Sequence, residues 1–158
     1  MRNFRLFIAM AVLVLLTGCG AKKSATAAGN GTAVEEVKFE QAFRYFLKNG
    51  ETCENPKITT QEEFSKKFGM ATVMGKNGQP TIVDFDKQFV IAVTYPETNN
   101  EVRMSPISLQ RDAKGDLTFI YEALKVRELK YTTKPCLIII VDKKDNTGEV
   151  SLKETVLM

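Results

Sequence analysis

The chain has 158 residues, 44% hydrophobic with five prolines, and its 22 Lys and Arg against 19 Asp and Glu give a formal charge of +3. That length and composition suit one globular domain and argue against two compact domains or a disordered chain. Histidine is absent, which removes Ser-His-Asp and Cys-His nucleophiles, H-E-x-x-H metal sites, His-ligated haem and any imidazole pH switch.

The amino terminus reads as an address. Met1-Arg-Asn-Phe-Arg5 precedes an unbroken apolar run from Leu6 to Leu16, the positive flank and apolar core of a signal peptide over residues 1–18. As a helix the run rises only about 16 Å, short of a hydrocarbon layer of roughly 30 Å, so it is not read as a stable membrane span. Leu16-Thr17-Gly18-Cys19 resembles the bacterial lipobox, which implies cleavage before Cys19, lipidation of its thiol and a membrane partner held through acyl chains. Gly20 stands where aspartate would retain such a protein at an inner membrane, which leans towards the outer membrane of a bacterial cell envelope. Residues 19–33 are small and polar and read as a tether. Arg2, Arg5, Lys22 and Lys23 carry the positive balance; without these four of the 22, 18 basic residues face 19 acidic ones. The basicity thus belongs to the address and tether, and no nucleic-acid partner is expected.

Residues 34–158 are expected to form a single α+β domain. Thr32-Ala-Val-Glu35 has capping-box spacing, and Phe39, Ala42, Phe43, Phe46 and Leu47 recur at helical intervals before Asn49-Gly50, predicting a first helix. The aromatic density of Phe43–Lys48 admits a short strand instead. Thr59-Thr60 ahead of Gln61-Glu62-Glu63 predicts a second short helix from Gln61 to Phe68, with Gly69 as a left-handed stop. Met70–Met74 reads as a brief strand and Gly75–Pro80 as a turn. Strands follow at Gln88–Tyr95, at Glu101–Arg111 with Pro106 marking an edge or bulge, at Leu117–Lys125 after the turn Asp112–Asp116, and at Glu128–Thr133. Pro135–Val141 is the most apolar segment of the domain and reads as a central strand covered on both faces. Asp142–Gly148 is expected to join it to a last strand, Glu149–Val156. The sum is an α+β fold, mainly antiparallel sheet with one or two short N-terminal helices.

Tyr45-Phe46 with Lys48-Asn49, Thr59–Phe64, Phe68-Gly69, Asp84-Phe85, Phe89–Ala92, Ile107–Leu109 and Pro135 before Leu137–Ile140 together resemble a group of uncharacterised exported lipoproteins of gut-type anaerobic bacteria. The resemblance covers nearly all of the mature domain and implies an exported, lipid-anchored module with no assigned catalytic residues. From Lys87 to Val141 the chain is also similar to the small β domain of protease-complex-stabilising lipoproteins, with a strand, a hairpin and a proline-led strand. Where that family has a glycine-rich turn after the first strand, this chain has Pro96-Glu-Thr-Asn-Asn-Glu101, and no protease role is carried over.

Several constellations carry residue types suited to chemistry. With Cys19 committed to lipid, Cys53 and Cys136 form an even pair in an oxidising compartment, able to bond as a disulfide or stand as separate thiols. Asp84 and Asp86 flank Phe85 and would share a side of an extended segment, as paired carboxylates do; the simpler reading is that they cap or solvate the turn while Phe85 packs inward. Asp142, Asp145, Asn146 and Glu149 have the composition but not the spacing of a calcium loop. Gly75-Lys-Asn-Gly78 lacks the length of a P-loop. Lys66-Lys67, Lys143-Lys144 and Arg127 with Lys130 are isolated basic spots, and Phe39, Phe43, Tyr45 and Phe46 read as core rather than as a ligand platform. No metal, cofactor or catalytic set is expected. The favoured function is a lipid-anchored envelope module that binds a protein or surface component through an exposed β edge or loop. The alternatives are a histidine-independent enzyme and a structural envelope component without a discrete ligand.

Overall fold

The computed structural model describes residues 34–75 and 78–155, all within one compact unit. The expected signal peptide, Cys19 and the tether lie outside the described residues. In chain order the elements are β1 (Glu35–Glu36), β2 (Phe39–Ala42), β3 (Tyr45–Leu47), β4 (Lys57–Ile58), α1 (Gln61–Lys67), β5 (Phe68–Met70), β6 (Gln88–Thr94), β7 (Thr98–Arg111), β8 (Leu117–Thr133), β9 (Cys136–Asp142), a 3-10 turn (Lys143–Asp145) and β10 (Val150–Thr155). They form a four-stranded sheet ordered β1-β7-β8-β10, a second ordered β2-β9-β6-β4, and a two-stranded sheet of β3 and β5. Every pairing is antiparallel except β8 with β10, which is parallel. The fold is α+β, dominated by antiparallel sheet, with one short helix.

The apolar runs of β6 and β9 dictate three layers. Along each strand side chains alternate between faces. Phe89, Ile91, Val93, Leu137, Ile139 and Val141 meet Leu109, Leu117, Phe119 and Tyr121 of the first sheet. On the opposite face Val90, Ala92, Ile138 and Ile140 meet Leu47, Ile58, Phe64, Phe68 and Val83. Burying each large apolar side chain contributes roughly 1.5–3 kcal/mol, so a strand that is apolar on both faces needs a layer on both sides. The expected doubly covered central strand is thus β9.

Helix α1 supplies part of the third layer. Thr60 caps it in extended conformation, its side chain accepting from the Glu63 N–H, with Glu62 and Glu63 in the first turn and Lys66 and Lys67 in the last. The charges complement the helix dipole, yet seven residues are too few to persist alone. Phe64, its one buried residue, anchors it.

Four expectations need correction. The first expected helix is a pair of strands, β2 and β3, broken at Arg44, whose φ is 65°. Phe39 packs against one core and Ala42, Tyr45 and Leu47 against the other. A period of two with a phase slip at Arg44 therefore imitates a helical period, and pairing of β2 with β9 (Phe39 opposite Val141) overrides it. Helix α1 ends at Lys67, and Gly69 lies in β5 rather than in a left-handed stop; the brief strand is Phe68–Met70, not Met70–Met74. Gly69 is required for another reason, because the Phe46 ring occupies the space a Cβ would take.

Residues 117–133 form one strand rather than two, the irregularity being absorbed by register shifts at Thr98 to Asn100 and at Glu101 to Val102. A third shift, at Pro106 to Ser108, is the irregularity expected at Pro106. Finally, β10 does not pair with β9. Both edges of β9 are taken, by β2 and β6, so the 3-10 turn carries the chain across to the first sheet, where β10 adds to the free edge of β8 from Leu117 to Glu122.

Candidate functional site

The site with the shape of a binding surface lies on the third layer. The break between β2 and β3 is laced to residue 81: the Phe43 N–H donates to Thr81 Oγ1 (3.0 Å), the Thr81 N–H to the Phe43 carbonyl (3.2 Å) and the Tyr45 hydroxyl to the Thr81 carbonyl (2.6 Å). Burial pushes the Tyr45 phenol up from its ordinary value, keeping it a donor. These bonds hold residues 79–83 across from α1 and β5, leaving a cleft of about 290 Å3. Tyr45, Phe64, Met70, Pro80, Ile82 and Val83 give its apolar walls, and the amides of Gln61 and Gln79 its polar points. The Gln61 amide is engaged, donating to Ser65 Oγ at 2.6 Å. Among the described residues no charged one lines the cleft, which suits it to a neutral, apolar group.

Beside the cleft is a broader, more open depression lined by Phe43, Arg44, Gln79 and Thr81. Large apolar side chains are exposed around both: Ile82 (88%), Met70 (65%) and Phe43 (57%), with Val73 and Met74 on the neighbouring stretch. Such a concentration marks a contact surface more often than chance exposure does. Of the four aromatics expected in the core, Phe39 and Tyr45 pack inward, Phe39 edge-on to Phe119 and Tyr45 edge-on to Phe64. Phe43 and Phe46 do not; they are about half exposed. Little in the sequence signals the cleft, because Gly75–Pro80 reads as a turn and Met70–Met74 as a strand, and the bonds between Thr81 and the residues flanking Arg44 form only in the folded chain.

The other constellations fall elsewhere. Asp84 holds a turn: its Oδ1 accepts from the Asp86 N–H (3.1 Å), its carbonyl accepts from Lys87 and Gln88, and it pairs with Lys87 at 3.1 Å. The Lys87 side-chain bond, helped by the Asp86 N–H, keeps this exposed carboxyl below its ordinary value. Phe85 packs inward against Phe64, so the turn-capping reading describes the segment. Asp145 pairs with Arg111 and Asp142 with Lys144. Among the described residues no group of three or more His, Cys, Asp or Glu could hold a metal ion. Among the basic spots, Lys67 donates to the Thr52 carbonyl and Lys143 to that of Phe85, while Arg127 pairs with Glu101. Cys53 and Cys136 are free thiols, partly buried against the same cluster under the third layer.

The geometry defines a class only: a three-layer α+β domain with an apolar cleft on its helical side. No protein-family model, curated protein or solved structure matches the chain.

Proposed function

We propose that the protein is a lipid-anchored cell-envelope module that grips an apolar segment of an envelope protein or surface component in the cleft beside α1. The observation that carries this reading is an apolar cleft, without a charged lining residue among the described ones, opening among exposed Phe43, Met70 and Ile82. The basic start, apolar run and Cys19 of the leader, with the resemblance to exported lipoproteins, support anchoring through Cys19, and Gly20 supports the outer membrane. An apolar side chain seated in the cleft would act as an anchor, with the surrounding exposed residues shedding water around it.

A photo-crosslinking residue at position 82 of the full chain, in intact envelopes, tests this. The expected result is a reproducible adduct that is lost when Met70→Asp is added. Equal, non-specific labelling from position 82 and from Glu62 on the exposed side of α1 would overturn it.

A second reading rests on the β7–β8 ribbon. Strand β1 pairs β7 only at Gln110 and Arg111, and β10 pairs β8 only as far as Glu122. Among the described residues the ribbon's outer edges beyond those points carry no strand, and an extended segment could add there. Specific adducts from Val126 but not from position 82 would favour it.

A further inference from the structure

Cys53 and Cys136 come from distant parts of the chain yet pack against one apolar cluster. The Cys53 sulfur lies 3.5 Å from the carbonyl of Asn55 and 3.8 Å from that of Ala92 in β6. Cys136 opens the adjacent strand β9, opposite Thr94 and two residues from Ile138, the partner of Ala92. Its thiol points at the Tyr45 carbonyl at 3.7 Å. Strand spacing of about 4.8 Å and a rise of about 3.4 Å per residue place the Cys136 α-carbon roughly 8 Å from that of Ala92, over which the Cys53 sulfur sits. Residues 51–56, which carry Cys53, have no regular secondary structure and can make the small approach a disulfide requires, to α-carbons within about 7 Å. Neither residue is fully buried.

We propose that Cys53 and Cys136 form an intramolecular disulfide on exposure to a disulfide oxidant, pinning the loop before β4 to the start of β9. The Cys53 thiolate, its proton lost to solvent, attacks one sulfur of the oxidant, forming a mixed disulfide and releasing one thiolate. The Cys136 sulfur, deprotonated in turn, then attacks the Cys53 sulfur and releases the second. The protein's two thiols are oxidised, the oxidant's disulfide is reduced to two thiols, and the protons pass through solvent to those leaving groups. Cys53 attacks first. Burial pushes both thiols up, but at Cys53 the Lys67 ammonium pulls against burial, with Glu63 adding to it. At Cys136 burial, opposed by the Leu47 backbone and reinforced by Cys53, reaches about 11. The bond forms whether or not the cleft takes a partner, so failure of either proposal leaves the other standing.

The test is mass analysis of the purified, reduced full chain after incubation with oxidised glutathione under folding conditions. The expected product has lost two hydrogens and yields a linked peptide pair carrying Cys53 and Cys136. Cys136→Ala is expected to accumulate glutathione on Cys53 instead. Wild-type protein that keeps both thiols free, or that stops at glutathione adducts without resolving to the linked pair, overturns the proposal.

Discussion

Replacing Phe64 by alanine tests whether the third layer holds the molecule together. The ring is 3% exposed and lies 5.0 Å from that of Tyr45, 5.3 Å from Phe68 and 5.6 Å from Phe85, centroid to centroid. Truncating such a residue costs about 3–5 kcal/mol in lost transfer energy and residual cavity. The upper half of that range is expected, since three aromatic neighbours lose a partner at once. Helix α1 has no other buried residue and is too short to survive undocked. With a urea m-value of about 2 kcal/mol/M for a domain of this size, the midpoint should fall by roughly 2 M, measured by circular dichroism in urea titrations. Glu62→Ala, on the exposed side of the same helix, should stay within about 0.5 kcal/mol. A loss below about 1 kcal/mol for Phe64→Ala would refute the reasoning, because β6 and β9 would then not depend on this layer.

Other consequences are as direct. The Arg127 hydrogen bond, helped by its charge and that of Arg103, holds the Glu101 carboxyl below its ordinary 4.5; a depressed carboxyl stabilises fully above the ordinary value and loses that contribution as pH falls through the depressed one. Thermal midpoints recorded down an acid series should therefore fall less steeply for Glu101→Gln than for the parent. Arg111 bridges β7 to Glu35 and Asp145, and Arg111→Ala, leaving Asp145 unpaired at 16% exposure, should cost about 1–3 kcal/mol by urea titration. Arg111→Lys should recover little, having no fork to reach both carboxylates. Gly69→Ala should evict the Phe46 ring from β5 and destabilise by about 1 kcal/mol, with the penalty largely absent in a Phe46→Ala background, a coupling that a double-mutant cycle measures.

Legibility in the sequence followed how local the deciding interaction is. Helix α1 was readable from Thr60 and Glu63 because a cap is made three residues away. The doubly covered β9 was readable because Leu137–Val141 is apolar at every position. The β2–β3 pair was not, since its aromatics fit two periods and the choice is made by β9, far along the chain. The parallel docking of β10 escaped for a related reason: only the occupancy of both β9 edges, a property of the assembled sheet, rules out the hairpin. The carboxylates at Asp84 and Asp86 were legible as turn formers, whereas the cleft depends on Thr81 meeting Phe43 and Tyr45 across more than 30 positions of sequence.

The place of β9 in the second sheet sets a timetable for the chain. Strand β2 finds its partner only at Ile138–Val141, and β6 is bonded on that side only by the same strand. Until β9 has been made, the ribosome has released β2, β4, α1 and β6 with no central strand to assemble upon, and hydrophobic residues such as Phe89 and Ile91 have no settled layer. Folding of this unit is thereby postponed until β9 has emerged. A unit that stays open until β9 appears is one that a secretion channel can still thread, which suits the export proposed for it.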